Sequence, residues 1–479
     1  MPDDDELQTV SVNRRSLTDR LFDSSRLIET FELHRHGTTI QTEIVAGLTT
    51  FLTMSYIIVV NPAILSQAIT IPGYTTGEVF QMLAITTILA SALSCLVMAL
   101  YANRPFGLAP GMGLNAYFAV TVVNGLGVPW QTALAAVFVE GLLFTALSAV
   151  GLRRTVIELF PQPVKYAIGA GIGLYLLLLG LIETQIAVGN PDTLIALGAV
   201  ASDPVALVSL AGVCAIVVLY TRGTTGAILI GIGATALASW GLTIAGVVEQ
   251  GVLTPASMPE MQYNVMPLVG SFIDGFAAVD PQTFIIVVFT FFFVDFFDTA
   301  GTLLGVAQFG GFLDDDGNLP EMDRPLLADA IGTTFGAAIG TSTVTTVVES
   351  STGVEEGGRT GLTAFVVGVA FLLSLPVVWL IAAIPTFASY LGLIFVGLLM
   401  FQNVTDIEWD RAEWLIPSGL TIVLMPLTAS IANGIAAGLI SYPLVKLAKG
   451  DHDDVHVAQL VMALLFVGYF WVTAGGYTH

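Results

Sequence analysis

Acidic side chains stand inside the most apolar runs of this chain. TFIIVVFTFFFVDFFDTAGTLLGV (283–306) carries Asp295 and Asp298 three residues apart, so on a helix they share one face. A carboxylate near mid-membrane costs about 2.5–3.5 kcal/mol on insertion scales. Such a residue faces a cavity and marks an ion or substrate path, unless it sits at the interface or bonds neighbouring backbone. Asp298 is followed by Thr299, Ala300 and Gly301, small residues that leave room for a ligand. A second acid lies in GTSTVTTVVESSTGVEEGGRTG (340–361). The run TVTTVV (343–348) favours extended chain. Val347 and Val348 lead to Glu349, and SSTG opens a helix after it. An extended strand ending in a carboxylate predicts substrate or ion handling; the plainer alternative is an external loop. Glu355 and Glu356, close to Arg359, read as a solvated cytoplasmic edge.

A third stretch, RPFGLAPGMGLNAYFAV (104–120), has Pro110, Gly111 and Gly113 where a helix would otherwise continue. They free backbone N–H and C=O groups, tolerated at membrane depth only where they line a cavity or are buried in protein. Asn115 follows at the start of a half-helix. Its amide both donates and accepts, which suits the edge of a heterocycle; alternatively it caps its own helix. Glu140 and Asp329 are two more acids in apolar surroundings, and either could be a structural hydrogen-bond partner.

The elements that carry these residues are membrane helices. Of the 479 residues 55% are hydrophobic and 11% charged, and the mean hydropathy is +0.83. That excludes an ordinary soluble domain or a disordered chain. A net charge of -22 argues against nucleic acid as a partner, since a phosphate backbone needs a basic surface. Cys95 and Cys214 lie in separate apolar runs and every histidine lies in a polar flank or at the terminus. No metal site or cofactor is implied, and any proton handled within the membrane belongs to another group. The first 40 residues lack an apolar core and read as an acidic, mixed cytoplasmic tail (1–40) rather than a cleaved signal.

Apolar segments fall at about 44–65, 81–101, 107–123, 129–151, 165–183, 204–221 and 226–248. After a polar stretch they resume at 282–306, 325–339, 341–353, 360–382, 386–402, 413–428, 431–447 and 457–475. Numbered in this order, every Lys and Arg falls at the N-terminus or after an even-numbered segment, the positive-inside pattern with a cytoplasmic N-terminus. Seven segments per half predict an inverted repeat. The boundaries are 41–250 for the first repeat (segments one to four core, five to seven gate), 251–281 for an external linker, and 282–479 for the second. The second repeat has segments eight to eleven as core, twelve to fourteen as gate, and a C-terminal extension. FPQPVKYAIGAGIGLYLLLLGL (160–181) matches IPTFASYLGLIFVGLLMFQNV (384–404), with Pro and Tyr five apart in each. Segments three and ten then become symmetry mates, both interrupted, which is the sequence pointer to a transporter's binding site.

TEIVAGLTTFLTMSYIIVVNPAIL (42–65), GLAPGMGLNAYFAV (107–120), FFVDFFDTAGTLLGV (292–306) and STVTTVVESSTGVEEGGRTGLTA (342–364) resemble the AzgA-type purine permeases of the nucleobase–cation symporter class. The resemblance covers about 37–470. It implies an all-α polytopic membrane protein of two seven-segment inverted repeats, with short β-strands in segments three and ten and core and gate domains. It also implies a substrate held between those strands by acids of segments eight and ten. DTAG puts Asp298 at the acid of an acid–His–x–Gly pattern found in uracil-type members. Thr346–Ser350 puts Glu349 at the Glu of their Thr-Tyr-Gly-Glu-Asn and Val347 at the Tyr, so a ring contact is missing there. Their Gln-His of segment one is Thr49-Thr50 here, which removes an imidazole.

The expectation is a secondary active importer of adenine, guanine or hypoxanthine in the cell membrane, and not an enzyme. Asp298, Glu349, Asn115, Thr50, Val347 and Val348 form the substrate set, and Asp295, Asp298 and Glu349 the proton-coupling set. The coupling cation is a proton, with sodium as the alternative, and a homodimer stays open as the assembly. The rival is a sulfate-type anion transporter of similar fold, against which two acids in segment eight would repel a dianion. No GxxxxGK[ST] run for an ATP-driven pump occurs.

Overall fold

In a computed structural model the chain is described over residues 24–149, 161–255, 261–314, 319–451 and 455–474. Most of the acidic tail, including DDDE (3–6), lies outside these residues, as do Arg153 and Arg154. Ten helices among the described residues are long and apolar enough to cross a membrane. They include segments one (Ile40–Leu65), two (Thr76–Ala102), five (Gln162–Glu183), six (Pro204–Thr221), seven (Ala227–Ile244) and eight (Pro281–Gly310). Segment four runs Trp130–Ala149, eleven begins at Gly361, and fourteen is Ile431–Lys449. Segments nine (Asp323–Ile339), twelve (Thr386–Phe401) and thirteen (Ala412–Leu427) complete the helical set.

Local chemistry sets the ends. Thr75 and Glu78 form a reciprocal capping box, so segment two starts a turn earlier than hydropathy alone suggests. Asp203 before Pro204 and Asp280 before Pro281 cap segments six and eight. At Asp280 the bonds from Thr283 hold the carboxyl below its usual range. Segment one is two helices, Ile40–Met54 and Ile57–Leu65, with Pro62 inside the second.

Segments three and ten are the departures from helix. Strand β1 (Leu108–Pro110) leads to a half-helix, Met112–Ala116, continued as a π-helix over Tyr117–Gly125. A short hairpin, β2 (Ala187–Asn190) with β3 (Leu194–Leu197), joins segments five and six and has no clear sequence signal. Strand β4 (Val344–Thr346) precedes the half-helix Ser350–Glu355. Strands β1 and β4 pair antiparallel, Leu108 against Thr346, Ala109 against Thr345 and Pro110 against Val344. The two halves of the chain therefore meet at mid-molecule through backbone hydrogen bonds.

The repeat is visible in packing. Segments five and twelve are each preceded by an extended proline, Pro161 and Pro385. Twelve residues on in each lies a glycine, Gly173 and Gly397. A Cβ on Gly173 would stand 2.7 Å from the Gly397 carbonyl oxygen, and one on Gly397 2.6 Å from that of Gly173. This reciprocal contact is what a two-fold relation between the repeats requires. Segments eight, nine, four, two, eleven and one pack on one another, while five packs on twelve and thirteen, and six on seven. These are the core and gate bodies of a two-repeat transporter fold. The last helix, Val457–Ala474, packs on segment fourteen, and Phe466 meets Phe289 of segment eight at 5.5 Å.

Candidate functional site

The strand crossing is held from three sides. Gly111 N–H donates to the Thr343 carbonyl at 3.1 Å and Val347 N–H to the Gly107 carbonyl at 3.1 Å, while Gly107 N–H donates to Ser350 Oγ at 2.9 Å. Behind it, Asn61 of segment one donates to Thr87 at 2.7 Å and to Thr341 at 3.0 Å. These bonds satisfy backbone and hydroxyl groups that have no water at this depth.

Glu349 stands at the N-terminus of the second half-helix without capping it. Its Oε1 accepts a 2.6 Å bond from Tyr56 Oη. Tyr56 is itself buried and sits where segment one breaks. Asp298 is half-buried, lies within electrostatic reach of Glu349, and accepts no hydrogen bond from the described residues. Two acids thus lie within electrostatic reach of one another, one tethered by Tyr56 and one without a hydrogen bond from the described residues. Val348, directly before Glu349, is 47% exposed although it directly follows the buried run 340–347. Val347 is buried and contributes through its backbone.

Asn115 is not a cap, because Gly111 holds that position. Its Oδ1 takes a bond from Ser342 Oγ, and its Nδ2 is buried with no acceptor among the described residues. Thr50 is displaced from the acids. It is fully buried against Gly107 and Gly353 with an unbonded hydroxyl, a turn beyond Glu349. Thr53, one turn further along, meets Thr352 at 3.0 Å. Gly113 does not border open space either, since a Cβ there would lie 2.5 Å from Ile172 Cγ2 of segment five. Its small size lets core and gate approach. Glu355 and Glu356 are exposed, as a solvated edge should be.

Asp295 and Asp298 share a helix face but not an environment. Asp295 is fully buried and turned toward segments four and nine. Thr299 Oγ1 lies 3.4 Å from Asp295 Oδ1, 3.1 Å from Asp329 Oδ2 and 2.7 Å from Thr345 Oγ1. Asp329 also accepts Thr346 N–H at 2.7 Å and its hydroxyl at 3.2 Å. Asp329 therefore fixes β4 from behind. Tyr56, Thr299, Thr345 and Thr346 are site residues that sequence reasoning missed. Tyr56 lies inside the 42–65 motif, Thr299 inside 292–306, and Thr345 and Thr346 inside 342–364, but nothing in their spacing marks them.

At the start of segment one Glu43, fully buried, accepts the N–H groups of Arg359, Thr360 and Thr363 and the Thr363 hydroxyl. A carboxylate at a helix N-terminus is favoured by the helix dipole, and this one pins segment eleven to segment one.

The sequence model described as "Permease family" matches residues 41–437. The chain belongs to this permease family. Among the permease's relatives, the adenine permease AdeP of Escherichia coli (strain K12) is 39% identical over 437 residues, covering 91% of this chain and 94% of AdeP. The guanine/hypoxanthine permease PbuO of Bacillus subtilis (strain 168) is 41% identical over 440 residues, covering 91% and 98%. Two solved structures share the fold. The transmembrane domain of a cyanobacterium bicarbonate transporter, BicA, has a TM-score of 0.56 at 17% identity, over 83% of this chain and 97% of that one. The murine Slc26a9 anion transporter in its inward-facing state gives 0.57 at 11%, over 92% and 74%. The permease is thus a multi-pass membrane transporter of inverted-repeat fold and not an enzyme, and its crossed strands pack against segments one, two, eight and nine.

Proposed function

We propose that this permease imports purine nucleobases by proton symport, with the base held between Asp298 and Glu349 beside the β1–β4 crossing. The observation that carries the reading is the unpaired, half-buried Asp298 facing Glu349. An uncharged heterocycle offers ring N–H donors to such acceptors, and a dianion would be repelled by them. Relatives named adenine and guanine/hypoxanthine permeases support the substrate class. Val347, through its place at the strand end, the exposed Val348 and the unbonded amide nitrogen of Asn115 complete the substrate contacts; Thr50 shapes the wall behind them. The acids of segments eight and ten, Asp295, Asp298 and Glu349, couple the base to the proton. The transporter sits in the cell membrane with a cytoplasmic N-terminus, its core (segments one to four and eight to eleven) moving against its gate (five to seven and twelve to fourteen).

Uptake of labelled adenine, guanine and hypoxanthine into proteoliposomes tests this, with imposed proton or sodium gradients and with uracil, sulfate and bicarbonate as competitors. Accumulation driven by the proton gradient and blocked only by purines is expected. Competition by sulfate or bicarbonate but not by purines would overturn the assignment.

A further inference from the structure

Glu140 projects from segment four into the place where Asp295 and Asp329 come together. It is 0% exposed, and neither of its carboxylate oxygens has a hydrogen-bond donor among the described residues. The Asp295 carboxyl lies within hydrogen-bonding reach of it, yet Asp295 Oδ2 also lacks a donor. Two facing carboxylates can bond only through a proton, and like charges this close in an apolar interior cannot both ionise. Asp329 differs in having three donors, Thr346 N–H, Thr346 Oγ1 and Thr299 Oγ1. No group of three His, Cys, Asp or Glu side chains suited to a metal ion occurs among the described residues.

Aromatic rings flank the pair. Phe144, one turn beyond Glu140, packs on Phe296 at 5.6 Å and on Phe292 at 6.2 Å. Gly141 brings segment nine close, since a Cβ there would lie 2.6 Å from Thr334 Oγ1. The other titratable groups facing the pair are Asp298 on segment eight and Asp329 on segment nine. Cys95 of segment two is turned to Leu108.

We infer that the Glu140–Asp295 pair is where the coupling proton is bound, separate from the purine site. An O–H bond to one carboxyl forms as the proton enters and breaks as it leaves, with no other bond changed. The link to substrate is Thr299. Its hydroxyl has one hydrogen and three acceptors within reach, so it can serve Asp295, Asp329 or Thr345 of β4 but not all at once. Its neighbour Asp298 faces the proposed base. A shift of β4 or Asp298 on binding redirects that hydrogen and alters the support given to Asp295. The inference rests on the proton-symport reading above.

Glu140→Gln and Asp295→Asn, each in proteoliposomes, test it with two readouts. Purine counterflow with no gradient reports binding and alternating access, and accumulation under an inward proton gradient reports coupling. Each variant is expected to keep counterflow, to lose gradient-driven accumulation, and to show purine binding that no longer varies with pH. Glu140→Asp is expected to retain coupling. Gradient-driven accumulation with the wild-type pH profile in either Glu140→Gln or Asp295→Asn would overturn the inference. Loss of counterflow and binding in both would overturn it too, by making the pair structural. Wild-type protein that exchanges purine but couples to sodium alone would also overturn it. Wild-type protein that exchanges no purine would instead sink the transport reading itself.

Discussion

Replacing Glu349 by Gln tests the purine site most directly. The substitution keeps shape and keeps an oxygen for Tyr56 Oη, which bonds Oε1 at 2.6 Å in the native protein. Folding and insertion should therefore be normal. What is lost is charge. A hydrogen bond from a purine N–H to a carboxylate contributes about 1.5–3 kcal/mol, and each 1.4 kcal/mol is about tenfold in affinity. If the whole charge-assisted bond is forfeited, the Kd for the preferred base rises about 10- to 150-fold. The upper end applies if the amide turns its NH₂ toward the base, because that donor would then face the purine's own N–H. The assay is equilibrium binding of labelled guanine and adenine to purified protein, with uptake in parallel. Glu355→Gln serves as control, since Glu355 is exposed on the far side of the half-helix. A Glu349→Gln protein with wild-type Kd and uptake would refute the placement of the base.

Asp298→Asn should express normally and fail in uptake, because Asp298 accepts no hydrogen bond from the described residues and, on the proposed reading, holds the base; wild-type uptake would remove it from the site. Gly397→Ala puts a Cβ 2.6 Å from the Gly173 carbonyl oxygen, and overpacking of this kind costs about 1–3 kcal/mol. A lowered melting temperature in detergent is expected, and an unchanged one would show that the five–twelve contact yields. Gly113→Leu forces Ile172 aside at the core–gate boundary and should insert yet transport poorly; full transport would mean that this contact opens freely. A reporter fused after Arg222 or Arg359 should read cytoplasmic and one within 261–280 external, and the reverse would break the seven-plus-seven topology.

The architecture was legible because the bilayer writes it in coarse symbols. Spans need long apolar runs, which hydropathy registers. The two interrupted segments announced themselves through Pro110, Gly111 and the Thr-Val run, and both became strands. Helix ends were read less well. Capping at Thr75 and the break at Ser55–Tyr56 depend on single side-chain bonds that hydropathy does not register. The β2–β3 hairpin escaped for the same reason, since four-residue strands between two long apolar helices leave no periodic trace.

The site itself was half legible, and the missing half follows one rule. An acid in an apolar run is conspicuous because water's absence makes it costly, so Asp295, Asp298, Glu349, Glu140 and Asp329 could all be found. What each acid does depends on how many donors reach it, and donors are threonines, a tyrosine and backbone N–H groups that are common everywhere. Asp295 and Asp298 look equivalent three residues apart on one helix. The fold gives the first a carboxylate neighbour on segment four and the second an open face toward Glu349. Asp329 looked like Glu140, yet three donors make one a fixed brace for β4 while the other is left with none. Donor count thus separates Asp329, which braces β4, from Glu140 and Asp298, which have no donor among the described residues, while Tyr56 reaches Glu349 from 293 residues away in the chain. Only the folded core brings them together.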